Sequence, residues 1–135
     1  MSTATPAPEQ AAAAERPFNP LDFPADLRAA RFRADTLYAE QAALAARLPW
    51  SREPHPGWEQ KKNENTDVIL KEGREASPGW DPADAAEYDR IAEELREVTA
   101  VIQTHPWWAK CRAHGVTGPA IVEARQALKV LTGTG

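Results

Sequence analysis

Apolar side chains recur at steps of three and four residues in two long stretches, and this spacing constrains the fold more than any other feature. The first stripe consists of Leu27, Ala30, Ala34, Leu37, Gln41, Leu44 and Leu48, with Gln41 as its polar member. The second consists of Ala85, Tyr88, Ile91, Ala92, Leu95, Val98 and Ile102. Because such spacing places a stripe on one side of an α-helix, it predicts two amphipathic helices that pack along their stripes.

Prolines and a capping motif predict where the helices begin and end. Pro49 disfavours helical geometry in the residue before it, so the first helix is predicted over 24–48. Asp81-Pro82 combines a capping side chain with proline at the first helical position, and it predicts a second helix over 82–105. A short helix over 106–113 and a last helix over 118–131 complete the prediction. The predicted fold class is all-α, an antiparallel helical hairpin with short C-terminal helices, and residues 24–135 form one domain.

Two segments lack the helical pattern. Residues 1–23 are rich in proline and alanine, so we predict a disordered tail. Residues 49–81 form a Trp-containing connector that is too long for a simple turn, and it repeats the phrase Pro-Gly-Trp at 56–58 and 78–80. We expect the turns to let the tryptophans latch the connector onto the helices, while the polar stretch 59–67 stays unordered. A functional binding loop is the alternative.

Composition limits both the core and the function. Leu, Ile, Val and Phe supply only 22 of the 135 residues, which predicts a thin core that the C-terminal helices, the tryptophans or a second copy must cover. The single cysteine excludes an internal disulfide framework and fits a reducing compartment. Neither a membrane span nor a secretory signal is present, so we expect a cytoplasmic protein. A net charge of -4 argues against a dedicated nucleic-acid binder.

The residues offer little for catalysis or metal binding. His105, Cys111 and His114 are the only cluster of soft-metal ligands, and a structural zinc site would need His55 as a distant fourth ligand. Cys111 and His114 lie three residues apart, yet nothing resembling an oxyanion loop accompanies them. We therefore expect no enzymatic activity, no metal and no cofactor.

A thinner strip of small residues marks a second side of the first helix. We predict that Phe32, Ala39 and Ala43 contact a protein partner, together with Trp107 or Trp108 if these are exposed. A helical scaffold with a thin core and no chemistry is most often an interaction module. The predicted function is thus a non-enzymatic helical interaction or accessory protein that binds another protein or itself.

The C-terminal stretch from Trp108 to Leu128, with its glycine turn at Gly115, resembles the helix-turn-helix of GntR-type winged repressors. The resemblance covers only this stretch, and Gly118-Pro119 is unusual at the start of a recognition helix. It implies a DNA-binding regulator as the alternative function. The implied DNA contacts are Thr117, Arg125, Gln126 and Lys129. A plain helical hairpin packed on the second helix explains the same pattern without DNA.

The whole chain also resembles small Ala/Arg-rich helical proteins predicted from high-GC bacterial genomes. The shared phrases are Leu48-Pro49-Trp50, Pro78-Gly79-Trp80, Thr104 to Trp108, Gly118-Pro119 and Ala124 to Lys129. This resemblance implies that the helical hairpin and the Trp-containing segments form one unit, and it implies no activity.

Overall fold

The structure, a computed structural model, describes residues 17–131, which form four helices and a small antiparallel sheet. In chain order the elements are α1 (Ala25–Arg47), β1 (Lys61–Lys62), β2 (Ile69–Lys71), α2 (Pro82–Gln103), α3 (Pro106–Ala113) and α4 (Pro119–Lys129). The fold is therefore mostly helical, as predicted. The all-α prediction is not fully correct, because the connector contains the two strands.

Ion pairs show that α1 and α2 run in opposite directions. Arg47 at the end of α1 lies 3.6 Å from Asp84 in the first turn of α2, whereas Arg33 lies 3.0 Å from Glu94, further along α2. The two helices bury a small core along their predicted stripes. Its buried members are Leu37, Leu44, Ile91 and Leu95.

A second, larger core forms where α3 and α4 cover the open end of the helical hairpin. Its buried members are Phe23, Leu27, Trp107, Trp108, Cys111, Ala124 and Leu128. These residues come from the segment before α1, from α1 itself and from both short helices. Because the chain has few leucine and isoleucine residues, aromatic rings supply much of the apolar surface of this core.

Side chains cap two of the helices. The Asp81 carboxylate accepts a hydrogen bond from the Ala83 backbone N–H at 3.0 Å. The His105 Nδ1 accepts one from the Trp107 N–H at 3.0 Å, so the ring proton lies on Nε2, which donates to Asp26 at 2.9 Å. That hydrogen bond lowers the pKa of Asp26 and ties the start of α1 to the start of α3.

The predicted disordered tail, residues 1–23, is corrected at its C-terminal end. Phe18 stacks on His114 with ring centroids 4.2 Å apart, and Phe23 is buried in the larger core. Aromatic contacts therefore hold the segment of Phe18 and Phe23 against the helices. Residues 1–16, and residues 132–135 of the predicted domain, lie outside the described residues.

Candidate functional site

The connector forms a two-stranded β-arm, defined here as residues 55–77. Strand pairing runs from His55 opposite Ser77 through Trp58 opposite Arg74 to the short strands β1 and β2. The polar stretch 59–67, predicted to be unordered, instead supplies β1 and the turn at the tip. Its Asn63 donates its backbone N–H to Val68 at 2.8 Å and closes the hairpin.

Gly57 lets the two strands of the β-arm approach closely. Its φ is +73°, and an added Cβ would lie 2.3 Å from the carbonyl oxygen of Arg74. Gly79, in the second Pro-Gly-Trp phrase, has a φ of +81°. Both glycines adopt the positive φ that glycine accepts readily in turns.

Three tryptophans fasten the β-arm through their indole N–H groups. Trp50 donates to the carbonyl of Glu75 at 2.8 Å, and Trp58 donates to the carbonyl of Glu72 at 2.7 Å. Trp80 donates to the carbonyl of Pro49 at 2.8 Å. These bonds join the two ends of the connector. The tryptophans were predicted to latch the connector onto the helices, but these indole hydrogen bonds instead join the connector to itself. Trp80 also meets α2, where its ring centroid lies 5.0 Å from that of Tyr88.

Cations cover the aromatic rings on the β-arm. The Arg74 guanidinium lies 4.5 Å from the centre of the Trp50 ring, and the Lys71 ammonium lies 4.6 Å from that of Trp58. The Trp50 and Trp58 rings meet edge to face at 5.7 Å. Cation–π and aromatic contacts of this kind stabilise a hairpin that is too small for a core of its own.

Arg52 fixes the base of the β-arm to α2. Its guanidinium donates two hydrogen bonds of 2.7 Å to the two carboxylate oxygens of Asp89. This paired geometry lowers the pKa of Asp89 and raises that of Arg52. The β-arm is thus held in a defined direction relative to the helical hairpin.

We expect the Arg52–Asp89 pair to make stability depend on pH in acid. Since the folded-state pKa of Asp89 lies below its unfolded value, the stabilisation is present above about pH 4 and is lost as the pH falls through the folded pKa. The difference in free energy of unfolding between the wild type and Asp89→Asn should therefore shrink in acid. Urea denaturation at a series of pH values measures it, and a difference that is constant with pH would contradict the assignment.

The tip of the β-arm exposes three consecutive apolar side chains. Val68, Ile69 and Leu70 are 56%, 45% and 66% exposed. They follow the turn and enter β2, which has β1 as its only partner strand within residues 17–131. One edge of each strand is therefore free of strand pairing in the described part of the chain.

The predicted protein contacts divide into two groups. Ala39 and Ala43 are exposed on α1, and Phe32 beside them is half-buried. Trp107 and Trp108 were expected to contribute only if exposed, but they are 7% and 2% exposed in the larger core. Both are core residues, because the short helix α3 needs their apolar surface to pack on α1 and α4.

The predicted DNA contacts likewise lie in different environments. Thr117 is exposed in the turn between α3 and α4, whereas the half-buried Arg125 packs its guanidinium 4.5 Å from the Trp108 ring centre. Gln126 and Lys129 line a groove that α4 forms with α1 and α2. This side of α4 therefore faces the helical hairpin.

The model of a protein family, the domain of unknown function DUF8825, matches residues 26–131. The chain belongs to this family. No curated protein and no solved structure matches the chain. The DUF8825 match covers nearly all of α1 and the whole of the β-arm, α2, α3 and α4.

The residues considered for chemistry in this DUF8825 member make packing contacts. Cys111 is fully buried in the larger core, and burial raises the pKa of its thiol. His114 stacks on Phe18. Within residues 17–131, no three His, Cys, Asp or Glu side chains are grouped closely enough to hold a metal ion. None of the helices in that range has the length and apolar character needed to cross a membrane.

Proposed function

We propose that this chain is a non-enzymatic, cytoplasmic interaction or accessory protein that binds another protein, or a second copy of itself, through the β-arm. The observation that carries the proposal is the exposed run of Val68, Ile69 and Leu70 beside free strand edges. Exposed strand edges recruit further strands, and soluble proteins usually protect them with charge, proline or cover. An apolar run at such an edge favours binding by strand addition.

The anchoring of the β-arm supports this function. A rigid binding element loses little conformational entropy when a partner docks, so more of the contact energy appears as affinity. The indole hydrogen bonds and the Arg52–Asp89 pair hold the arm in this way before binding. The fully buried Cys111 supports the non-enzymatic part of the proposal, because a nucleophilic thiol must reach its substrate.

A second copy of the chain provides a direct test, since its arm carries the same apolar run and edges. We expect reversible dimerisation with a dissociation constant of about 1 µM to 1 mM, because the contact is small. Replacing Val68, Ile69 and Leu70 together by threonine should abolish it, as threonine preserves strand propensity while removing apolar surface. Sedimentation velocity over a concentration series measures the effect.

The matched control replaces two exposed valines that lie off the β-arm, Val101→Thr and Val130→Thr. This control should dimerise like the wild type. The β-arm would not be the binding element if both threonine variants weakened association equally. Two results together would contradict the proposal. The wild type would remain monomeric at every concentration, and a protein partner would bind the triple variant with the same affinity as the wild type.

The alternative of a DNA-binding regulator finds less support in the geometry. A recognition helix presents its base-reading side chains outward to enter the major groove. Arg125 is instead half-buried against Trp108, and Gln126 and Lys129 line a groove that α4 forms with α1 and α2. Thr117 alone of the four implied contacts lies away from this groove.

A further inference from the structure

A groove of about 420 Å³ lies where α1, α2 and α4 meet, remote in sequence from the β-arm. Its apolar lining comes from all three helices and from α3, through Ala34, Ile102, Trp108 and Leu128. The volume falls within the range of small-molecule sites, which combine an apolar lining with a few placed polar groups. The groove therefore has the size and lining of a ligand site.

The charged side chains that line the groove are all cations. They are Arg31, Arg125 and Lys129, and no acidic side chain shares the lining. Arg31 pairs with Asp35 on its own helix. Arg125 and Lys129 form no ion pair with any residue in the range 17–131. Because they lie four residues apart on α4, they repel each other, and an anion between them would relieve that repulsion.

The hydrogen-bond donors of two of these cations are held in fixed positions. The Arg31 side chain is only 17% exposed, and its Nη2 donates a hydrogen bond to Asp35. Its Nε is buried and makes no hydrogen bond. A buried N–H without an acceptor is unfavourable, and it is rare in folded proteins. The Arg125 guanidinium is held 4.5 Å from the Trp108 ring centre, which orients its donors beside the apolar lining.

We propose that this groove binds a small organic anion, an aromatic monocarboxylate. The ring would lie against the apolar lining, and the carboxylate would accept hydrogen bonds from the cations, among which a guanidinium matches its two oxygens. This site is independent of the β-arm, so its existence does not rest on the proposed function.

Naphthoate is a suitable probe, and naphthalenemethanol is its neutral counterpart with the same ring. We expect titration calorimetry of the full chain to detect naphthoate binding with a dissociation constant below about 1 mM, and naphthalenemethanol to bind at least about 10-fold more weakly. Lys129→Gln should weaken naphthoate binding about 10-fold, since it removes an exposed cation without disturbing the core. Arg125→Gln should have at least the same effect.

The matched control is Arg112→Gln, which removes an exposed cation of α3 that does not line the groove. It should leave naphthoate affinity within about two-fold, as should the triple threonine variant of the β-arm. Equal affinity for naphthoate and naphthalenemethanol, or equal loss in Lys129→Gln and Arg112→Gln, would overturn the proposal. No detectable naphthoate binding at a concentration of about 5 mM would overturn it as well.

Discussion

Trp108→Ala should destabilise the protein by about 3–5 kcal/mol, the usual loss when a buried aromatic residue is truncated. Trp108 lies on α3 and is almost fully buried in the core that it shares with the segment before α1, with α1 and with α4. Its indole N–H donates to the carbonyl of Ile102 at 2.6 Å, and this hydrogen bond is lost in the variant. Since small domains are stable by only about 5–15 kcal/mol, the variant should be close to unfolding.

Chemical denaturation followed by far-ultraviolet circular dichroism measures this loss. The matched control is Trp58→Ala on the β-arm, which should change the free energy of unfolding of the helices little, because the hydrogen bond, ring contacts and cation–π contact of Trp58 are all with residues of the connector. A loss below about 1 kcal/mol for Trp108→Ala would show that Trp108 is not part of the core.

Gly57→Ala should open the β-arm while leaving the helices folded. The new Cβ would lie 2.3 Å from the carbonyl oxygen of Arg74, a backbone atom that moves only if the strands separate. The two hydrogen bonds of 2.8 Å between Trp58 and Arg74 would then be lost, at a cost of about 1 kcal/mol each. A further cost of about 1 kcal/mol comes from the positive φ.

The readout for Gly57→Ala is hydrogen exchange of the Trp58 and Arg74 amides, which should become at least about 10-fold faster. Self-association should be lost along with the arm. Gly115→Ala is the matched control, because Gly115 has a φ of +84° but open space around its Cβ position. Gly115→Ala therefore has the free-energy cost of a positive φ but no collision between the new Cβ and the backbone. Exchange in the arm that is unchanged by Gly57→Ala would contradict the close strand approach.

The helices could be predicted because their signals are local. Pro49, Asp81-Pro82 and Pro106 mark their ends within the sequence itself, and the apolar spacing identifies their buried sides. The buried positions Leu37, Leu44, Ile91 and Leu95 all lie on the predicted stripes. Such features depend on residues only a few positions apart.

The β-arm was missed because its strands are two and three residues long and carry no alternating pattern. Its stability comes from the indole bonds and the cation–π contacts, which join residues 13 to 31 positions apart. The available signal was the Asn-rich turn at 63–67 between the lysines of β1 and the apolar run. Read with the Pro-Gly-Trp phrases, it indicates a hairpin.

The groove and the burial of Trp107 could not be predicted, because they require the relative placement of several helices. Trp107, for example, donates its indole N–H to the carbonyl of Pro20 at 3.2 Å, far away in sequence. The ordering of residues 17–23 has the same origin, since Phe18 and Phe23 pack on rings from α3. Long-range aromatic contacts decide these features, and single-sequence patterns do not encode them.

Hydrogen exchange of the β-arm at low and high protein concentration tests the central claim most directly. If the arm binds by strand addition, the amides of Val68, Ile69 and Leu70 gain hydrogen-bond partners on association, or the strands that carry them become less able to open. The account predicts slower exchange there at high concentration in the wild type and no change in the triple threonine variant. Exchange that stays constant in the β-arm while the wild type dimerises would contradict it.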